Sequence, residues 1–107
     1  MVAQAITKIS ALEAEAAANL FLSDHLPDRY CADEPRYDAI AQVWRIPVIM
    51  AYPFIGSLGV VGELTVNPFS ETVLTHTPIA EMRQCGQTLS QQNREAIEAA
   101  FLSAGNA

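Results

Sequence analysis

The sequence predicts an α+β domain: an N-terminal helix, a three- to four-stranded antiparallel sheet, and a C-terminal helix packed on one sheet face. Three observations carry that expectation. A capped, alanine-rich segment opens the chain, β-rich runs bounded by turn signals fill its middle, and a glutamine-rich amphipathic segment closes it. There is no strand–helix–strand alternation to call for a parallel sheet.

The first helix is read from Ser10 to about His25. Ser10 and Glu13 fit the S-x-x-E capping box, in which two side chains satisfy free N–H groups of the first turn. The interior EAEAAANLFL has high helix propensity. Ile9, Leu12, Ala16, Leu20 and Phe21 recur at helical spacing as one apolar stripe. Pro27 forbids continuation.

The character then changes. Pro35 and the pair Asp33-Glu34 break any helix, and a short strand is expected around Tyr37 to Ile40. A tight turn near Ala41 joins it to a stronger strand from Val43 to Tyr52, rich in β-branched and aromatic residues. Pro47 removes one ladder donor from that strand, which should therefore lie at an edge or carry a bulge. Val60 to Val66 alternates, with Val60, Gly62, Leu64 and Val66 on one face and Val61, Glu63 and Thr65 on the other. Asn67-Pro68 opens a turn over residues 67 to 71, returning the chain into TVLTHT as an antiparallel hairpin. Thr77 is the expected cap of the last helix, with Pro78 at its first position. A capping box would want Glu or Gln where Ala80 stands. Ile79, Met82, Leu89, Ala96, Ile97, Ala100 and Phe101 mark one face as far as Gly105, and the tail SAGNA is expected to fray.

A chain of 107 residues is expected to be a single domain, 1–107. Half its residues are apolar, a globular composition that folds without metals or disulfide staples. The net charge of −6 disfavours nucleic-acid phosphates and anionic membrane surfaces. No apolar run approaches the ~20 residues of a spanning helix. MVAQAITKISALEAE has no apolar h-region, so it does not read as a secretory signal, and the cytoplasm is the expected location. Cys31 and Cys85 sit far apart without metal-type spacing and read as free thiols.

No pattern in the sequence specifies a reaction, so no catalytic residue, cofactor or metal ligand is assigned. Gly56, Gly59 and Gly62 are followed by a strand, whereas a phosphate-binding loop needs a helix there. Ser57 in I-G-S-L-G lacks the spacing and the following helix of a nucleophile elbow. His25 lies at a helix end, where a cation suits the dipole. His76, if the hairpin pairs about residues 67 to 71, faces Glu63 as the one acid–base couple in the chain. The plainer reading of that couple is a cross-strand surface pair. Asp24, Asp28, Asp33, Glu34 and Asp38 form a hydrated acidic face, or a dock for a basic partner.

The stretch AYPFIGSLGVVGELTV places Tyr52, Phe54, Ile55 and Leu58 where a turn should be polar. Exposed apolar groups in such a segment mark an interaction site. The plainer reading folds them back under a helix to complete the core.

The hairpin VGELTVNPFSETVLTHTPIAEM resembles the G-E-I-x-V-D-x-x-T-G-E-V unit of PepSY-like and cystatin-like small domains, where a hairpin adjoins a helix that packs across it. Asn67 replaces the usual aspartate and Ser70 the usual glycine, which alters the turn. LPDRY, VWRIPVIMAYP and this hairpin, in that order, also resemble small cyanobacterial proteins. Some similar proteins are encoded beside PIN-type toxins, which implies an antitoxin or immunity-like role. The resemblance supplies no catalytic residues, and the chain lacks the basic DNA-binding part of the usual antitoxin.

Two readings follow. The first is a non-catalytic interaction module, a homodimer or a protein that neutralises another, using Tyr52, Phe54, Ile55 and Leu58. The second is a small-molecule binder or enzyme with a pocket between sheet and helix lined by Trp44, Tyr52, Glu63 and His76. The second needs Glu63 and His76 to point inward and Leu64 outward, the reverse of what the alternation predicts.

Overall fold

A computed structural model of the chain describes residues 8–105. Its elements run α1 (Ala11–His25), β1 (Tyr30–Ala32), β2 (Arg36–Asp38), β3 (Val43–Tyr52), β4 (Gly56–Val66), β5 (Val73–His76), α2 (Ile79–Gln92) and α3 (Arg94–Gly105). The strands form one antiparallel sheet: β1 and β2 pair with one side of β3, and β4 then β5 follow on the other. α1 and α2 contribute to a single apolar core on one face of that sheet. This is the expected α+β arrangement, with one more short strand and a divided C-terminal helix.

The capping box forms at the start of α1. Ser10 N donates to Glu13 Oε1 at 3.0 Å, and Glu13 N donates to Ser10 Oγ at 3.1 Å. Ile9 and Phe21 of the expected stripe pack half-buried against the core, but the fully buried stripe is a different one. Ala14, Ala18 and Leu22 are buried at intervals of four, while Leu12 is 76% and Leu20 66% exposed. Ala16 is exposed as well. Small residues at the contact let the helix axis lie close to its neighbour, which leucine at those positions would prevent.

β1 escaped the sequence reading because three residues between Pro27 and the acidic run are too few to show a period. β2 ends at Asp38, and Ile40 stands in the following turn, 98% exposed. Pro47 lies in the middle of β3, which is a central strand and not an edge. The Pro47 carbonyl accepts from Asp33 N at 2.8 Å. The missing N–H of a strand residue points the same way as its carbonyl. Here that direction is the gap between β1, which pairs with 48–50, and β2, which pairs with 43–45.

A register shift between Val48 and Ile49 follows directly. It inserts Val61 into β4 as an extra residue, which breaks the expected alternation. Val61 is buried alongside Leu64 and Val66, whereas Val60 is 61% exposed. The turn into β5 is closed by Asn67 N donating to Thr72 O and Phe69 N donating to Asn67 Oδ1, each at 2.8 Å.

Thr77 does not cap α2. Its hydroxyl accepts from Glu63 N at 2.9 Å, tying the helix entry to β4, and Pro78 occupies the cap position with no side-chain bond. The helix then breaks at Asn93, whose backbone N–H and Nδ2 both donate to Leu89 O, at 3.1 and 2.8 Å. A side chain that competes for a helical carbonyl interrupts the ladder, and α3 restarts at Arg94. It reaches Gly105, so the SAG part of the tail is helical, while Asn106, Ala107 and residues 1–7 of the expected non-signal N-terminus lie outside the described residues. Among the described residues no helix is long and apolar enough to cross a membrane. Cys31 and Cys85 are free and half-buried.

α2 sits on the sheet at two points where a side chain is missing. A methyl on Gly62 would meet Met82 Cγ at 2.7 Å and Thr77 Cβ at 2.9 Å. A methyl on Gly86 would meet the Tyr30 hydroxyl, and Met50 Cε at 2.7 Å. In an open helix Gly→Ala gains about 1 kcal/mol. Gly86→Ala is expected instead to lower the unfolding free energy by about 1–3 kcal/mol through overpacking. Urea titration followed by Trp44 fluorescence measures it, and a stabilised variant would contradict the close seat of α2.

Candidate functional site

The β3–β4 hairpin turns over residues 53–55, with Ile55 N donating to Tyr52 O at 3.3 Å. Pro53 presets the first central position. The second central position of a type II turn requires φ > 0 and usually holds Gly or Asn. Here it holds Phe54, with φ of 70°. The Phe54 side chain is 72% exposed, and its ring meets Phe101 of α3 edge-on, centroids 5.8 Å apart.

The other three residues read as contact surface are placed differently. Tyr52 is half-buried. Its hydroxyl shares a 3.1 Å hydrogen bond with Ser90 Oγ, and the Arg29 guanidinium lies 4.8 Å above its ring. Leu58 is half-buried against the core, and Ile55 is half-buried in the turn. Tyr52 and Leu58 therefore anchor the hairpin, and Phe54 is the one carried outward.

α3 completes an apolar patch that the sequence reading assigned to packing. Phe101 is 39% and Leu102 67% exposed, and with Ile97 and Glu98 they line a depression of about 450 Å³. The spacing of Ile97 and Phe101 was visible in the sequence, and Leu102 was not singled out there. That these side chains find so little of their own protein to pack on was not.

The alternative lining does not assemble. Glu63 faces the side of the sheet away from the helices, where its Oε1 accepts from Arg45 Nη1 at 3.1 Å. Leu64 points inward and is fully buried. His76 pairs in register with Leu64, not Glu63, and its ring lies 4.9 Å from Phe21 on the helix side. The register of β5 thus separates the expected acid–base couple. Trp44 packs edge-on with Tyr37 at 5.3 Å, and its Nε1 is buried without a partner among the described residues. His25 stacks on the same Phe21 ring as His76, at 4.3 Å. Each histidine Nδ1 bonds a backbone carbonyl at 2.8 Å. Among the described residues no three metal-ligating side chains gather.

Of the acids, Asp24, Asp28, Asp33 and Glu34 are exposed. Asp38 has structural work. Its Oδ1 accepts from Ile40 N and Ala41 N at 3.0 Å each, and its Oδ2 accepts from Arg45 Nε at 2.8 Å. The Ala41 N–H, then the Arg45 side chain, hold its carboxyl below the usual range.

A groove of about 610 Å³ adjoins Tyr52 on the helix side. Its walls are Arg29, Tyr30 and Tyr52 from the strands and their approach, and Arg83, Gln87 and Ser90 from α2. Tyr30 Oη donates to Arg83 O at 3.1 Å, and burial pushes the Tyr30 phenol up. Arg29 and Arg83 make no ion pair with the described residues. Sequence reading missed this site because its two arginines lie on separate elements far apart in the chain. No protein-family model, curated protein or solved structure matches the chain.

The depressed carboxyl of Asp38 gives a pH dependence with a definite sign. A carboxylate held below its unfolded value, about 3.9, stabilises the fold above that pH and ceases to as pH falls through the folded value. Asp38→Asn should therefore unfold at lower urea concentration than wild type at pH 7, with the gap closing below about pH 4. A gap independent of pH would assign the effect to turn geometry alone.

Proposed function

We propose that the chain is a non-catalytic interaction module whose partner is a second copy of itself, held through the β3–β4 hairpin tip and α3. Phe54 carries this reading. A bulky residue at φ > 0 costs of order 1 kcal/mol or more, and such strain concentrates where function requires it. Glycine would relieve it, and the exposed ring adds little burial within the protomer to offset it.

α3 supports the same reading. Helices shorter than ~12–15 residues are marginal in water without a packed face. α3 has 12 residues and leaves Phe101 and Leu102 substantially exposed. Charge favours a second copy over a basic protein. The chain carries −6, yet the charges placed beside the patch are the pair Arg94–Glu98, bonded at 3.1 Å, and Arg29. Two copies of an acidic chain meet with least repulsion where acid is offset in this way, whereas a basic partner would address the acidic loops. An isologous contact, patch on patch, is the commonest way to close such an assembly. Two unpaired thiols suit a reducing compartment, so the proposal places the module in the cytoplasm.

Sedimentation equilibrium tests the proposal. Wild type should weigh twice the 11.6 kDa protomer at concentrations of about 100 µM or below. Phe54→Asp and Phe101→Asp should return it to protomer mass, with circular dichroism reduced by no more than the helical signal of α3. Phe54→Gly should weaken association while stabilising the protomer by about 1 kcal/mol. Wild type at protomer mass throughout would overturn self-association, leaving the neutralising role implied by the resemblance to be sought with another protein.

A further inference from the structure

The groove between the β1 approach, β3 and α2 combines two arginines with no carboxylate among its lining residues. The chain has 12 acidic and 6 basic residues other than histidine. Two of those six, Arg29 and Arg83, line this one groove, and no carboxylate does. The remaining polar walls are the hydroxyls of Tyr30, Tyr52 and Ser90 and the amides of Gln87 and Gln91, over a floor containing Pro27 and Met50.

Neither guanidinium is paired with an acid among the described residues. Arg83 Nη2 donates a long bond, 3.4 Å, to His25 O, leaving most of its N–H groups without a partner among the described residues. Arg29 lies over the Tyr52 ring at 4.8 Å and near Phe101 at 5.9 Å. Stacking of that kind fixes a guanidinium plane while its N–H fork stays available for an oxyanion. Fixing it in advance lowers the ordering cost that binding would otherwise carry.

We infer that this groove binds a small organic anion, with a carboxylate or phosphate head held by Arg29 and Arg83 and an apolar body lying on Met50 and Pro27. Its volume of about 610 Å³ falls in the ~300–1,000 Å³ range of small-molecule sites. The mixture of a few polar groups over an apolar floor is also characteristic of such sites. The site adjoins the self-association surface, and Tyr52 and Arg29 border both.

The test is a heteronuclear NMR titration of the whole isotope-labelled chain with phenyl phosphate, benzoate and inorganic phosphate, each to about 10 mM at low salt. The expected result is saturable shifts of the Arg29, Tyr30, Arg83 and Gln87 amides with one or both organic probes. Inorganic phosphate, which lacks the apolar body, should bind more weakly. The tighter organic probe identifies the head group. Arg29→Gln and Arg83→Gln should each weaken that probe about tenfold or more, as expected for a lost charge-assisted bond. Leu102→Asp, which alters the proposed dimer contact without touching the Arg29 contacts with Tyr52 and Phe101, should bind it as wild type does, which separates this site from that contact. Absence of saturable shifts with any probe would overturn the inference. So would unchanged affinity in both arginine variants, or inorganic phosphate binding as tightly as the organic probes.

Discussion

The seat of α2 on the sheet depends on two absent side chains. Gly62 makes room for Met82 and Thr77, and Gly86 makes room for Tyr30 and Met50. A helix held by its backbone at one point and a strand held by its backbone at another cannot slide or roll without a clash, because close-packed interiors do not deform smoothly. From that seat the rest follows. The Tyr30 hydroxyl reaches the Arg83 carbonyl, the Thr77 hydroxyl reaches Glu63 N, and Leu89 lies over Gly59. Arg83, Gln87 and Ser90 are thereby lined up as one wall of the groove, with Tyr52 opposite. The groove is a consequence of how closely the helix approaches, not of any local motif.

The second constraint is Pro47. A proline in a central strand would leave a ladder acceptor unmatched, and the chain avoids this by dividing its neighbour. β1 and β2 are two short strands along one side of β3, with Asp33 to Pro35 between them, and the proline faces that interval. The two register shifts that follow, at Val48/Ile49 and Met50/Ala51, place one bulge near the proline and another next to the turn. Bulges increase local twist and re-aim side chains. In β4 the first one turns Val61 into the core and leaves Val60 outside.

What could be read from the sequence was whatever is written in adjacent residues. Ser10 with Glu13, Asn67 with Pro68, and Pro27 after His25 each state a local hydrogen-bonding or steric fact, and each appears where it was expected. What failed were inferences from side-chain size and strict period. Leu12 and Leu20 looked like the core stripe of α1, but the contact distance selects Ala14 and Ala18. Glu63 and His76 looked like a couple, but pairing register is set by turn length and bulges, which a one-residue change reverses. Asn93 reads as an ordinary helical residue until its side chain is seen competing for the Leu89 carbonyl. Of the four residues singled out in the hairpin turn, the sequence offered no way to tell that Tyr52 and Leu58 face inward while Phe54 faces out. That division rests on the fit of Pro53 and Phe54 to a turn that needs a positive φ at its second central position.

Arg29 joins the two surfaces. Its guanidinium lies between Tyr52, which borders the groove, and Phe101, which meets Phe54 at the hairpin tip. Each stacking contact is modest, of order 0.5–1 kcal/mol where solvent reaches it. Both contacts reach α3 through Phe101. The break at Asn93 leaves α3 to be placed by side-chain contacts of this kind, since an unbroken helix would fix it through the α2 axis alone. A short, lightly held terminal helix next to a strained aromatic turn can respond to its surroundings in a way that the glycine-locked body of the fold cannot.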